Sequence, residues 1–250
     1  MKIIKENFLV VSDYNWLPKD LKNSWVEKYT DNYLIYDRYH RFTENEKIKH
    51  QKNVGQNIYD IFDFIITHYE NLPKTTIFCR ACLFNKKDDG EIRFDENGTR
   101  ISNGNCSEEY FQKICNNDFF TEIQDFTTEP WRFDWKGNRI GPPLCSNCCG
   151  GYLELNRNLW RGIAKTKYYD DVNIFFSDMY VNPPIQEYIR FSPGGNYIIP
   201  RENILKYSLK FYEKIRSILS WDVIIGEAHM IERALYTIFT CDYEVKREFQ

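Results

Sequence analysis

The chain has 250 residues, with 33 basic and 36 acidic side chains and a net charge of -3. That length can bury a full core as one domain, and a charge so near zero gives no global field to draw the chain onto nucleic acid or an anionic membrane. No apolar run approaches the roughly 18 residues that span a bilayer, and the opening MKIIKENFLVVSDYN turns to charge too soon for a signal peptide. The expectation is a cytoplasmic protein with no membrane span and no nucleic-acid partner.

Phe8 to Ser12, FLVVS, is a short apolar run closed by Asp13-Tyr14-Asn15, and reads as a buried first strand. Residues 17–29 predict a short helix with Leu21, Trp25 and Val26 inward. Asn32 to Tyr36, NYLIY, is a second strand closed by Asp37-Arg38. In the next segment Ile58, Ile61, Phe62, Ile65, Ile66 and Tyr69 recur at helical spacing, and Pro73 stops that helix. TTIFCRACLF, residues 75–84, then predicts a third strand. This alternation of strand and helix predicts a parallel α/β sheet of Rossmann type. Residues 85–160 break every period and read as loops. Ile174 to Ser177 reads as a strand leading to Asp178. Glu187 to Pro200 reads as two short strands around Ser192-Pro193-Gly194-Gly195, a turn whose glycines let backbone approach a ligand. A helix over about 202–219, with Leu205, Leu209, Tyr212, Ile215 and Leu219 inward, precedes a last helix ending near Phe239.

That last helix carries the densest chemistry. His229, Glu232, Arg233 and Tyr236 stand at relative positions 0, 3, 4 and 7 and share one face, while Met230, Ile231, Ala234, Leu235 and Ile238 form an apolar arc. Such a helix can pack on a core and wall a site with its other face, although a solvated charged face has the same pattern. Glu227 and Glu232 are candidate bases. Arg233 beside Glu232 depresses its basicity, which moves the choice towards Glu227 at the helix start, with His229 and Arg233 binding ligand.

In a parallel α/β sheet, ligands bind beyond the carboxyl ends of the strands. Asp13 and Asn15 follow strand one, Asp37 and Arg38 follow strand two, and Arg80 lies near the end of strand three. A carboxylate there can accept bonds from a base or ribose, and arginine suits a diphosphate; the structural alternative is a loop cap or Asx-turn. Asn53, in NVGQN, either opens the following helix or lines a donor loop. Neither G-x-G-x-x-G nor a P-loop is present, which argues against dinucleotide redox enzymes and ATPases.

Among eight cysteines, Cys79-x-x-Cys82 and Cys145-x-x-Cys148-Cys149 are spaced like two halves of a zinc site. Against this, positions three apart on a strand point to opposite faces, and the gap between the pairs far exceeds the roughly 15–20 residues of a zinc ribbon.

The segments NWLP (15–18), NVGQNIYDIFDFIITHYENLPKTTIF (53–78) and FSPGGNYIIPRENIL through EAHMIERALYTIF (191–239) resemble the glycosyltransferase-like family of domain of unknown function 3431. Its members have a Tyr-Asn loop after the first strand, Asn-x-Gly opening a helix, Leu-Pro before an apolar strand, and a Gly-Gly strand followed by Arg-Glu. Their terminal helix carries Glu-Arg. The resemblance covers the N-terminal third and the C-terminal quarter. It implies a single GT-A-like domain: a mixed, Rossmann-like sheet flanked by helices, with residues 1–84 as a nucleotide-binding half, 85–187 as a loop-rich insertion and 188–250 as an acceptor and catalytic half. It further implies a glycosyltransferase taking a nucleotide-sugar donor to a glycan or polysaccharide acceptor. GT-A enzymes hold Mn²⁺ or Mg²⁺ on an Asp-x-Asp pair; the matching strand here reads FCRACLF, and family members often have glutamine near the position of Arg80. Asp88-Asp89, Asp170-Asp171 or Asp178 then supplies the metal carboxylate, or the enzyme needs no metal and Arg80 offsets the diphosphate. The alternatives are a catalytically silent nucleotide- or sugar-binding protein of the same fold and a zinc-stabilised interaction protein.

Overall fold

A computed structural model describes residues 2–84, 106–124, 132–133, 139–141, 152–156 and 164–250. In the N-terminal part, β1 (Phe8–Asp13), α1 (Trp25–Tyr29), β2 (Tyr33–Asp37), β3 (Ile48–His50), α2 (Gln56–His68) and β4 (Thr75–Arg80) follow in order. Further on come α3 (Glu108–Ile114), β5 (Thr121–Glu122), β6 (Arg132–Phe133), β7 (Arg139–Gly141) and β8 (Tyr152–Leu155). The C-terminal part holds α4 (Val172–Met179), β9 (Tyr188–Phe191), β10 (Tyr197–Pro200), α5 (Arg201–Ile204), α6 (Leu209–Ile218) and α7 (Gly226–Thr240).

Six strands form one mixed sheet in the order β3-β2-β1-β4-β10-β5. β1, β2, β3 and β4 run parallel, while β10 is antiparallel to both β4 and β5. Strand alternation sorts the core onto two faces. Val10 and Phe78 point into a large cluster with residues of α2, α4, α6 and α7. Leu9, Val11, Ile77 and Cys79 point the other way, onto Val26 and Tyr29 of α1 and Phe111 of α3. The result is an α/β protein with helices on both sides of a mixed sheet. β9 pairs with β8, not with β10, so the Ser192 to Asn196 turn joins two different sheets.

Several predicted elements differ from those observed. β3 has only three residues, too few for a period. The third strand ends at Arg80, and residues 81–84 form a turn that carries Cys82 off the strand; the reasoning about strand faces therefore does not apply to that pair, although both thiols are buried. Residues 172–179 form a helix rather than a strand: Asp171 caps it by accepting from Asn173 N and Ile174 N, and Val172, Phe175, Phe176 and Met179 are buried at positions 0, 3, 4 and 7. The predicted 202–219 helix is two, α5 and α6, because Ser208 caps the second by accepting from Phe211 N. The break leaves Leu205 46% exposed, not inward. Similarly, Ser24 caps α1 and shortens the expected 17–29 helix. No helix among the described residues is long and apolar enough to cross a membrane.

Candidate functional site

The carboxyl ends of β1, β2, β3 and β4 share one edge of the sheet, and the N-terminus of α2 opens there. Because β10 is antiparallel, the turn that leads into it reaches the same edge. Backbone strain collects here. Asn15 (φ 69°), His40 (φ 52°), Gly55 (φ 58°), Gln56 (φ 53°), Gly194 (φ 81°) and Gly195 (φ 61°) are all left-handed. Non-glycine residues in this region are held only by surrounding structure, and such positions cluster at functional sites. α2 begins at Gly55 with no side-chain cap, so its first amides face the edge as donors.

Three elements meet on the Gly194 peptide. Asn57 Nδ2 donates to Gly194 O at 2.6 Å, and Gly194 N donates to Glu232 Oε1 at 2.5 Å. Arg80 lies over the same glycine: a Cβ placed there meets its Nε at 2.5 Å and its Cζ at 2.8 Å. Gly195 fits as closely against Ile58 of α2, 2.8 Å from an added Cβ. Gly194→Ala is expected to cost about 1–3 kcal/mol through its left-handed backbone and to push the Arg80 guanidinium aside. Urea denaturation measures the cost; a change below about 0.5 kcal/mol, the level of an ordinary surface substitution, means that the turn has room this geometry denies.

From α7, His229 and Glu232 are partly exposed while Arg233 is 6% exposed. His229 Nε2 lies 3.4 Å from the Gln56 amide nitrogen at the start of α2. With the Gln56 amide nitrogen as donor, His229 Nε2 is the acceptor in this contact. Arg233 donates through Nη1 to His229 O at 3.1 Å and to Glu232 Oε2 at 3.4 Å, and its guanidinium packs 4.6 Å over the Phe191 ring. Glu232 thus spends one oxygen on the turn and the other on Arg233.

Other sequence-predicted residues are engaged by backbone amides and neighbouring side chains. Glu227 is 0% exposed and its Oε1 accepts from Lys167 N and Tyr168 N at 2.5 and 2.7 Å. It shares the buried face of α7 with Met230, Ile231 and Ala234, not the face of His229. The helical period places it there, two residues before His229 and so roughly 160° around the axis. Asp13 and Asp37, both 0% exposed, close their own loops. Asp13 accepts from Trp16 N (2.8 Å) and Leu17 N (3.1 Å) and pairs with Arg41; Asp37 accepts from Tyr39 N (3.2 Å) and Phe42 N (2.8 Å). These are the loop-closing turns set out above as the structural alternative. Asn15 is exposed.

Arg38 is a bracket. Its side chain is 0% exposed, paired with Asp60 of α2 through Nε (3.0 Å) and Nη2 (2.6 Å). It also donates to Lys52 O and Val54 O at 3.3 and 2.8 Å, to Gln56 O, and to Asn53 Oδ1 at 3.5 Å. The strained 52–56 loop, Asn53 included, is therefore moulded around one guanidinium. Tyr14 packs its ring 5.0 Å from the same guanidinium. Gln56 and Tyr14 were not singled out in the sequence; the adjacent loop signals, NVGQN and the polar end of β1, are what mark them.

The described carboxylates at this edge do not fit a divalent cation, because Asp13 is held by two amides and Arg41 and Asp37 by two amides of its own loop. Among the described residues no three His, Cys, Asp or Glu side chains group as a metal site. Asp171 caps α4, and Asp178 accepts from the Tyr169 hydroxyl. Asp88-Asp89 and Cys145, Cys148 and Cys149 lie outside the described residues. A separate groove of 460 Å³, lined by Leu34, Glu44, Ile48, Lys49, Thr67 and His68, lies by the far end of α2. It carries none of the residues around the Gly194 turn. Compared with known proteins, the chain matches no family model, no curated protein and no solved structure.

Proposed function

We propose that the chain is a GT-A-like glycosyltransferase that moves a sugar from a nucleotide-sugar donor to a glycan hydroxyl at the carboxyl edge of the sheet. The observation that carries this reading is the convergence of His229, Arg80 and the uncapped α2 N-terminus around the Gly194 turn. A base, a cation and a set of amide donors are what transfer from a diphosphate requires. In the reaction the acceptor oxygen forms a bond to the anomeric carbon as the bond from that carbon to the diphosphate oxygen breaks. The hydroxyl proton passes to His229 Nε2, where the long Gln56 contact is easily displaced. The diphosphate leaves with its charge offset by Arg80 and the α2 amides. Glu232 and Arg233 position the turn.

A screen of thermal stability against UDP-, GDP-, CMP- and dTDP-sugars, each with and without Mn²⁺, tests the donor site. A ligand at about 100 times its Kd is expected to stabilise the fold by about 2.7 kcal/mol. Stabilisation by one nucleotide class without Mn²⁺ supports the reading, whereas no response to any of them removes it. A second reading, a nucleotide- or sugar-binding protein without turnover, is favoured by the commitment of both Glu227 and Glu232 to backbone amides. Binding with no transfer to any glycan acceptor would select it.

A further inference from the structure

A second ionisable cluster lies where β5, β9, β10 and α7 meet. Glu122 of β5 is 1% exposed, and both Arg190 donors, Nε at 2.7 Å and Nη2 at 2.5 Å, reach the same oxygen, Oε2. Oε1 is enclosed and has no hydrogen-bond partner among the described residues. The groups that face the pair are Tyr197 of β10, whose hydroxyl accepts from Ser192 N at 2.7 Å, and Tyr236 of α7, whose ring lies 4.6 Å from the Arg190 guanidinium. Glu232 and Arg233 of α7 stand beyond Tyr197. Burial pushes the Glu122 carboxyl up to about 7 against the opposing pull of Arg190.

The strand bearing Arg190 runs directly into the Gly194 turn. Two further bonds tie that turn to the end of β5: Ile123 N donates to Asn196 O at 3.0 Å, and Ser192 Oγ donates to Ile123 O at 3.3 Å. We propose that Glu122 and Arg190 form a proton-operated latch on the Gly194–Gly195 turn, the ionised carboxylate holding Arg190 and β9 against β5 and the protonated acid releasing them. The bare Oε1 is the place for the proton. Once it is filled, Oε2 is a neutral oxygen, and the two bonds to Arg190 lose the attraction between opposite charges, only the guanidinium remaining ionised. Arg190 has somewhere to go, since its side chain is 26% exposed, whereas Glu122 has not. The latch is local. Global stability runs the other way: a carboxyl raised in the folded state contributes stability that is fully present below its unfolded value, about 4.3, and is lost as pH rises towards 7.

The proposal does not depend on the transferase reading, and ligand-free protein tests it. Hydrogen exchange of the Ile123 and Ser192 amides, corrected for the intrinsic pH dependence of exchange, is followed across neutral pH. Protection is expected to rise about threefold or more through the Glu122 titration, in line with the gain of an ion-pair attraction to a partly exposed arginine, and to stay flat in Glu122→Gln. Glu232→Gln is expected to keep the step, since neither reporter amide bonds Glu232. A flat wild-type profile, or a step that survives in Glu122→Gln, overturns the latch. Should Glu122→Gln not fold, the carboxyl-carbon resonance of Glu122 in the wild type decides. Titration together with the amide step supports the latch, and titration at the ordinary carboxylate range overturns it.

Discussion

Asp60→Ala is expected to cost about 3–5 kcal/mol of stability. The magnitude is that of removing one partner from a fully buried ion pair. Asp60 is 0% exposed, and the Arg38 side chain it meets is 0% exposed as well. Without the carboxylate, Arg38 keeps its charge inside the protein with neutral carbonyl oxygens and the Tyr14 ring around it and no described counter-charge bonded to it. The contrast is the double variant Arg38→Met with Asp60→Leu. Apolar residues of similar size in place of both partners are expected to cost much less than the sum of the single changes, because no uncompensated charge stays behind. The double variant also frees the carbonyls of Lys52, Val54 and Gln56, so the α2 N-terminus is expected to lose order and ligand affinity even where the fold is retained. Urea denaturation of the three proteins checks the energetics. A loss below about 1 kcal/mol in Asp60→Ala, the range of an exposed pair, would sink the idea that this pair holds the edge together.

His229→Gln is expected to lower the transfer rate by about 10²–10⁴-fold, the usual contribution of a positioned base. Glutamine keeps a polar group beside Gln56 but cannot take a proton. Donor affinity is therefore expected to stay close to wild type while turnover falls. Glu227→Gln serves as the comparison: its carboxylate is sealed against Lys167 and Tyr168, so its substitution should alter stability more than chemistry. Single-turnover rates with saturating donor check both. Equal losses for the two variants would remove His229 from the base role.

Much of this was legible in the sequence, and the residues show where legibility stopped. The stripe at 229, 232, 233 and 236 and the apolar recurrence from Ile58 to Ile65 are local periods, and both helices formed with the expected faces. β1 and β2 were equally plain as short apolar runs closed by polar loops. β3 was not, since three residues carry no period. α4 was read as a strand because its apolar run is short, although Asp171 offered a cap one residue before it. The site separated along the same line. Strand ends place Asp13, Asp37 and Arg38 at the right edge, but whether a side chain turns to a ligand or to its own loop depends on partners far along the chain. Arg38 waits for Asp60, Glu232 for Gly194 and Glu122 for Arg190. Those pairings are tertiary, and no spacing in the sequence encodes them.

The antiparallel entry of β10 has a bearing on how the carboxyl edge of the sheet is completed during synthesis. β1 to β4 and α2 lie within the first 80 residues and are joined by short connections, so a ribosome releases them as one parallel unit. That unit already contains the uncapped helix start and Arg80. Yet the glycine turn and His229 are delivered more than 100 residues later, and contacts of such long separation form late because closing the intervening loop costs entropy first. Until then Arg80 has no Gly194 peptide beneath it, and the apolar face of α2 that will receive Leu235 is bare. The nascent protein therefore carries half of this sheet edge for most of its translation, and the arrival of the last helix completes it and covers the apolar face of α2.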